Sequence, residues 1–131
     1  MEEAGRRIVI VDDDHHVRES MEMILDGAGH RIRSTDSGLE ALRWLEEEPC
    51  DLLIVDFSMP EMDGPELYRR VLARWPINGP RVLFVSGRTE VRGYEDDPGV
   101  RAVPLLVKPF TLHDFSSAVT RALEVQTHVR T

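Results

Sequence analysis

The sequence predicts an α/β fold, a doubly wound (βα)5 sandwich on a five-stranded parallel sheet. Three observations carry this. Short apolar segments rich in β-branched residues alternate with segments of helical periodicity along the whole chain. Three of those segments are apolar at both alternations, as strands covered on both faces must be. At 131 residues the chain has room for one domain with a self-sufficient core.

Arg7–Val11 (RIVIV) reads as the first strand. Val17, Met21, Ile24, Leu25 and Ala28 then recur at helical spacing, and Gly27 and Gly29 offer a stop. Arg31–Thr35 (RIRST) is a second strand supported only by Ile32. Ser37 to Glu40 fits a capping box that opens a helix through Leu42 and Leu45. Asp51–Val55 (DLLIV) is the third strand. Gly64-Pro65 places proline at a first helical position, ahead of Leu67, Val71 and Leu72, with Met62 and Asp63 serving the turn. Arg81–Val85 (RVLFV) is the fourth strand. Glu90–Glu95 fits a short helix that Asp96-Asp97-Pro98-Gly99 breaks. The fifth strand, Ala102–Val107 (AVPLLV), contains Pro104, which removes a ladder donor and assigns it to a sheet edge. Thr111 to Asp114 opens the last helix, whose inner face is Phe115, Val119, Ala122 and Leu123.

Composition excludes several classes. Hydrophobic residues are 41% and charged residues 31%, a globular balance. Lys and Arg number 16 against 24 Asp and Glu, so the net charge of -8 disfavours a nucleic-acid partner. The single cysteine, Cys50, cannot form an internal disulfide and adjoins an apolar run, which suggests a buried thiol in a reducing compartment. Apolar runs such as Leu52–Val55 and Val82–Val85 are far too short to cross a bilayer. The charged start Met1 to Arg7 lacks the apolar stretch of a signal peptide, so a cytoplasmic location is expected. His15, His16, His30, His113 and His128 show no His-x-x-x-His spacing and are expected at the surface. Trp44 and Trp75 fall near helix ends and are expected to pack.

Ligands of doubly wound sheets bind beyond the carboxyl ends of the strands. After the first strand stand Asp12, Asp13 and Asp14, and Asp14 sits where a helix cap is needed. Asp56 follows the third strand, Ser86 and Gly87 the fourth, and Lys108-Pro109 the fifth. Asp12, Asp13 and Asp56 would therefore converge. Two unit charges ~4 Å apart repel by roughly 4 kcal/mol at an effective dielectric of 20. One lysine cannot neutralise three carboxylates, so raised pKa values or a bound cation must relieve the charge. An all-oxygen ligand set of this hardness suits Mg²⁺.

With these residues in view, the chain resembles a response-regulator receiver domain of two-component signalling. The resemblance rests on Val11-Asp12-Asp13, on Asp56 to Gly64 (DFSMPEMDG), on Val85-Ser86-Gly87 and on Val107-Lys108-Pro109-Phe110. It implies the flavodoxin-like strand order 2-1-3-4-5. It also implies a receiver over residues 7–124, between a leader at 1–6 and a tail at 125–131. Asp56 would accept a phosphoryl group from a phosphohistidine on a sensor histidine kinase or phosphotransfer protein. Asp12, Asp13, Asp56 and the Ser58 backbone carbonyl would ligate Mg²⁺ or Mn²⁺. Lys108 and Ser86 would bind phosphoryl oxygens, and Gly87 would leave room for their approach. Such a chain modifies itself, and loses the group by autodephosphorylation, rather than turning over an external substrate. Its output would be a downstream protein target, with no direct contact to nucleic acid or membrane. One position departs from the family pattern: Leu105, after Pro104, stands where the family carries an aromatic residue that rotates on phosphorylation. That departure implies a muted or rerouted switch.

Two rival chemistries fit less well. A phosphohydrolase of the haloacid dehalogenase type needs a second Asp two residues after the nucleophile, and position 58 is Ser. A flavin-binding module needs hydroxyl and Gly donors in its first loop, where Asp12-Asp13-Asp14 would repel a phosphate. A receiver that binds partners without being phosphorylated remains the alternative.

Overall fold

The alternation of side chains along three central strands builds two hydrophobic cores, one on each face of a single sheet. The computed structural model describes residues 5–87 and 97–129, with side chains through residue 124. The strands are β1 (Arg7–Val11), β2 (Arg31–Thr35), β3 (Leu52–Asp56), β4 (Arg81–Ser86) and β5 (Leu105–Val107). The helices are α1 (His15–Gly27), α2 (Gly38–Glu47), α3 (Gly64–Arg74), α4 (Pro98–Arg101) and α5 (Leu112–Val129). All strand pairs are parallel, in the order β2-β1-β3-β4-β5. This is the doubly wound, flavodoxin-like order that the sequence and its resemblance predict.

Ile8, Ile10, Leu52, Ile54, Leu83 and Val85 face α1 and α5, meeting Met21, Leu25, Phe115 and Val119. Val9, Val11, Leu53, Val55, Val82 and Phe84 face the opposite layer, meeting Ala41, Leu45, Leu67 and Val71 of α2 and α3. β2 and β5 form the two edges and bury far less, which matches their thinner apolar content. Trp44 and Trp75 pack against the second core, Trp44 beneath the Arg33 guanidinium at 3.8 Å.

Several boundaries differ from the sequence expectation. β3 starts at Leu52 rather than Asp51, because Asp51 is occupied in closing the amino end of the sheet: its carboxylate accepts the Arg7 N–H at 2.9 Å. β3 and β4 each run one residue further, to Asp56 and Ser86, with Asp56 in register with Val85. β5 begins only at Leu105; Val103 is buried in the core and the Pro104 carbonyl accepts from the Phe84 N–H. Pro98-Gly99 open a short helix of their own, α4, since Asp97 caps Val100 N–H and proline suits the first turn. The helix expected at Glu90–Glu95 lies outside the described residues. α5 runs on to Val129, past residue 124.

The caps follow the sequence with one exception. Asp14 accepts from the N–H groups of His16 and Val17, and Asp63 from Glu66. Ser37 accepts from Glu40 N–H, but the reciprocal half of the capping box is missing. Glu40 instead takes the Thr35 hydroxyl, whose oxygen accepts the Ser37 N–H. His30, expected at the surface, is instead buried at 8% exposure, because its ring turns inward to accept the Arg6 N–H. Cys50 is buried, and burial pushes its thiol up to about 12.

Candidate functional site

The parallel register lines up the carboxyl ends of the strands. Asp12 N–H donates to the Thr35 carbonyl, Phe57 N–H to Val85, and Lys108 N–H to Ser86, at 3.1, 2.8 and 2.7 Å. These three bonds tie each strand end to its neighbour. The sheet therefore presents Asp12, Asp56, Ser86 and Lys108 side by side.

Ligand oxygens of Asp12, Asp13 and Asp56 lie within 4.8 Å of one another. Asp12 is 0% and Asp56 3% exposed, while Asp13 opens to solvent. Lys108 Nζ stands 3.6 Å from Asp12 Oδ2 and 3.6 Å from Asp56 Oδ1. Asp12 Oδ1 accepts the Asp14 N–H at 2.8 Å, but among the described residues buried Asp12 Oδ2 has no hydrogen-bond donor and only the Lys108 ion pair. Ser58 is exposed, and its N–H donates to Asp56 Oδ1 at 3.4 Å, which keeps its peptide group beside the carboxylate. Ser86 is fully buried, with its hydroxyl on the Gly87 carbonyl at 2.8 Å.

This crowding has an electrostatic cost. Burial is the main cause that lifts the Asp56 carboxyl from 3.8 to about 7; the Asp12 charge adds to it and Lys108 opposes it. Asp12 is raised for the same first reason, burial, against the Asp14 hydrogen bond and Lys108. A buried carboxylate oxygen with no hydrogen bond among the described residues, two raised carboxyls and an exposed third carboxylate fit a hard divalent cation such as Mg²⁺. A cleft of about 410 Å³ reaches Asp13 between the start of α2 and the loop after β3, past Ser37, Gly38, Met59 and Met62.

The structure thus brings together Asp12, Asp13, Asp56 and Lys108 and keeps Ser58 and Ser86 adjacent in the chain's path. Two further neighbours shape the site. Arg18 donates to the Asp12 carbonyl at 2.7 Å, and Gly64 lets α3 start directly against the Asp56–Phe57 backbone. Arg18 gives no local signal. Gly64 does, through its place beside Asp63 and Pro65, but only for a helix start.

Residues 8–120 match the family described as Response regulator receiver domain. The chain is 35% identical over 118 residues to the response regulator receiver protein CpdR of Brucella abortus, covering 90% of this chain and 97% of that protein. It is 33% identical over 121 residues to the sensor kinase CckA of the same organism, covering 91% of this chain but 13% of that protein. Among solved structures, Vibrio cholerae chemotaxis protein CheY4 superposes with a TM-score of 0.80 at 26% identity, covering 91% of this chain and 99% of the other. On that match, and on relatives that share the fold across the whole domain, the chain belongs to the response regulator receiver domains of two-component signalling.

Proposed function

We propose that this receiver is a phosphorylation-dependent switch in which Asp56 accepts a phosphoryl group from a phosphohistidine partner. One observation carries the reading: three carboxylates with oxygens within 4.8 Å of one another, and a lysine 3.6 Å from the two buried ones. In the transfer, an Asp56 oxygen attacks phosphorus as the phosphorus–nitrogen bond to imidazole breaks, and the imidazole leaves with the bonding electron pair. Little covalent help is needed; positioning and charge neutralisation do most of the work. Lys108 meets the charge that gathers on the phosphoryl oxygens. Ser86, on release from the Gly87 carbonyl, supplies a hydroxyl donor. Asp12, Asp13, Asp56 and the Ser58 carbonyl would hold Mg²⁺ or Mn²⁺. When bound, that ion offsets carboxylate repulsion and phosphoryl charge. Asp12 anchors the set from below, and Asp13 meets the incoming group from the solvent side.

The partner class is a sensor kinase or histidine phosphotransfer protein, in keeping with the similar segment inside a sensor kinase. The output is a change of shape read by another protein. A lone cysteine fits a cytoplasmic setting. No helix among the described residues is long and apolar enough to cross a membrane.

The test is intact mass after incubation with Mg²⁺ and acetyl phosphate. Wild type should gain one phosphoryl group and Asp56→Asn none. No gain from acetyl phosphate or from a phosphohistidine donor would favour a partner-binding platform that works without phosphorylation.

A further inference from the structure

α1 offers Arg18 two carboxylates at ion-pairing spacing, Asp14 one turn before it and Glu22 one turn after. It takes neither. Asp14 is occupied in capping the helix, and Glu22 accepts the Ser34 hydroxyl. Arg18 Nη1 instead donates to the Asp12 backbone carbonyl at 2.7 Å, and Nη2 lies 3.4 Å from His15 Nδ1. Arg33, Arg43, Arg69, Arg70 and Arg74 each pair with a carboxylate, so the choice made by Arg18 is not the general habit of this surface. Its target is the one main-chain acceptor between the buried and the exposed carboxylate of the acidic edge. The Asp12 N–H is already fixed on Thr35, and its Oδ1 on the Asp14 N–H. The Arg18 bond completes the clamp.

We propose that Arg18 is a positioning residue of the cation site. By holding the Asp12 carbonyl it sets the Asp12–Asp14 turn and so the direction from which Asp13 meets the metal. This rests on the function proposed above. It also makes a claim whose sign can be read. As a mere positive charge, Arg18 competes with a divalent cation for the same carboxylates, and removing it would tighten binding. As a brace it preorganises the ligands, and removing it would weaken binding.

The experiment is calorimetric titration of the full chain with Mg²⁺ at fixed ionic strength, for wild type, Arg18→Met and Arg18→Lys. Methionine keeps the apolar stem on α1 and loses every donor. Lysine keeps a long stem with a charged donor. Arg18→Met should bind about tenfold more weakly, the scale for losing an outer partner of a metal ligand, and Arg18→Lys should recover most of that loss. Unchanged or tighter binding by Arg18→Met overturns the proposal, as does equal weakness in both variants. A methionine variant whose circular dichroism shows a lost fold overturns it too, since Arg18 would then act on stability. Wild type that binds no Mg²⁺ overturns the underlying functional reading instead, which separates the two failures.

Discussion

Asp56 shows how one side chain can couple a site to the stability of its fold. Its carboxyl rises from 3.8 to about 7 on folding, chiefly through burial. Between those values the folded chain holds a proton that the unfolded chain has released. Stability therefore falls as pH rises through that window, and the whole penalty is present above about 7. Without divalent cations, Asp56→Asn should melt above wild type at pH 8, on the order of 5 °C higher. The gain should shrink as pH falls toward 3.8, where folded and unfolded chains are both protonated at this position. Thermal melts across the pH range check this; a gain that persists at low pH would point to packing rather than charge. The type and place of Asp56 were legible in the sequence. The size of the effect was not, because it depends on burial in the folded chain and on the nearness of Asp12.

At the scale of elements, the start of α3 is built around an absent side chain. Asp63 caps the helix through the Glu66 N–H at 2.9 Å, and the Gly64 N–H donates to the Phe57 carbonyl at 2.9 Å. A Cβ on Gly64 would stand 2.9 Å from Phe57 Cα, 3.0 Å from the Asp56 carbonyl oxygen and 3.2 Å from the Phe84 ring. Two of those three neighbours are backbone, and the third ring is held edge-on against Phe57 and Tyr68. None can move cheaply. Gly64→Ala should cost about 1–3 kcal/mol by urea unfolding, as overpacking does. A variant within 0.5 kcal/mol of wild type, roughly the range of a neutral surface change, would show that the loop shifts freely. The sequence marked this glycine as a helix start. It could not show the close approach, because the neighbours come from the end of β3, the residue after it and β4. The same limit explains α2, where the pattern of a capping box was right for Ser37 and wrong for Glu40, which found Thr35 on the adjacent strand.

For the molecule as a whole, the question is how a change at Asp56 reaches a surface. The sheet carries its site at one end and two cores on its faces, and Lys108, just after β5, lies 3.6 Å from Asp56, so the β5 edge is a direct route outward. Leu105 there is 43% exposed and Val107 38%. A leucine has no polar tip to exchange between water and the interior, so a rotation inward gains it burial but makes no new hydrogen bond. We expect the Leu105 methyl resonances to shift little when Mg²⁺ and a beryllium fluoride phosphoryl analogue saturate the site. A large inward displacement at Leu105 would refute the muted switch.

The sequence by itself determined the order of the strands and of every helix but α4, the two-faced burial of the central strands and the acidic carboxyl edge. Each of these follows from side-chain period and residue type, which are local properties of the chain. Only the tertiary structure decided where β3 begins, why His30 turns inward, which carbonyl Arg18 holds and how far Asp56 departs from an ordinary carboxylate. Those outcomes depend on partners brought from distant segments, and on a dielectric that exists only once the two cores close around the sheet.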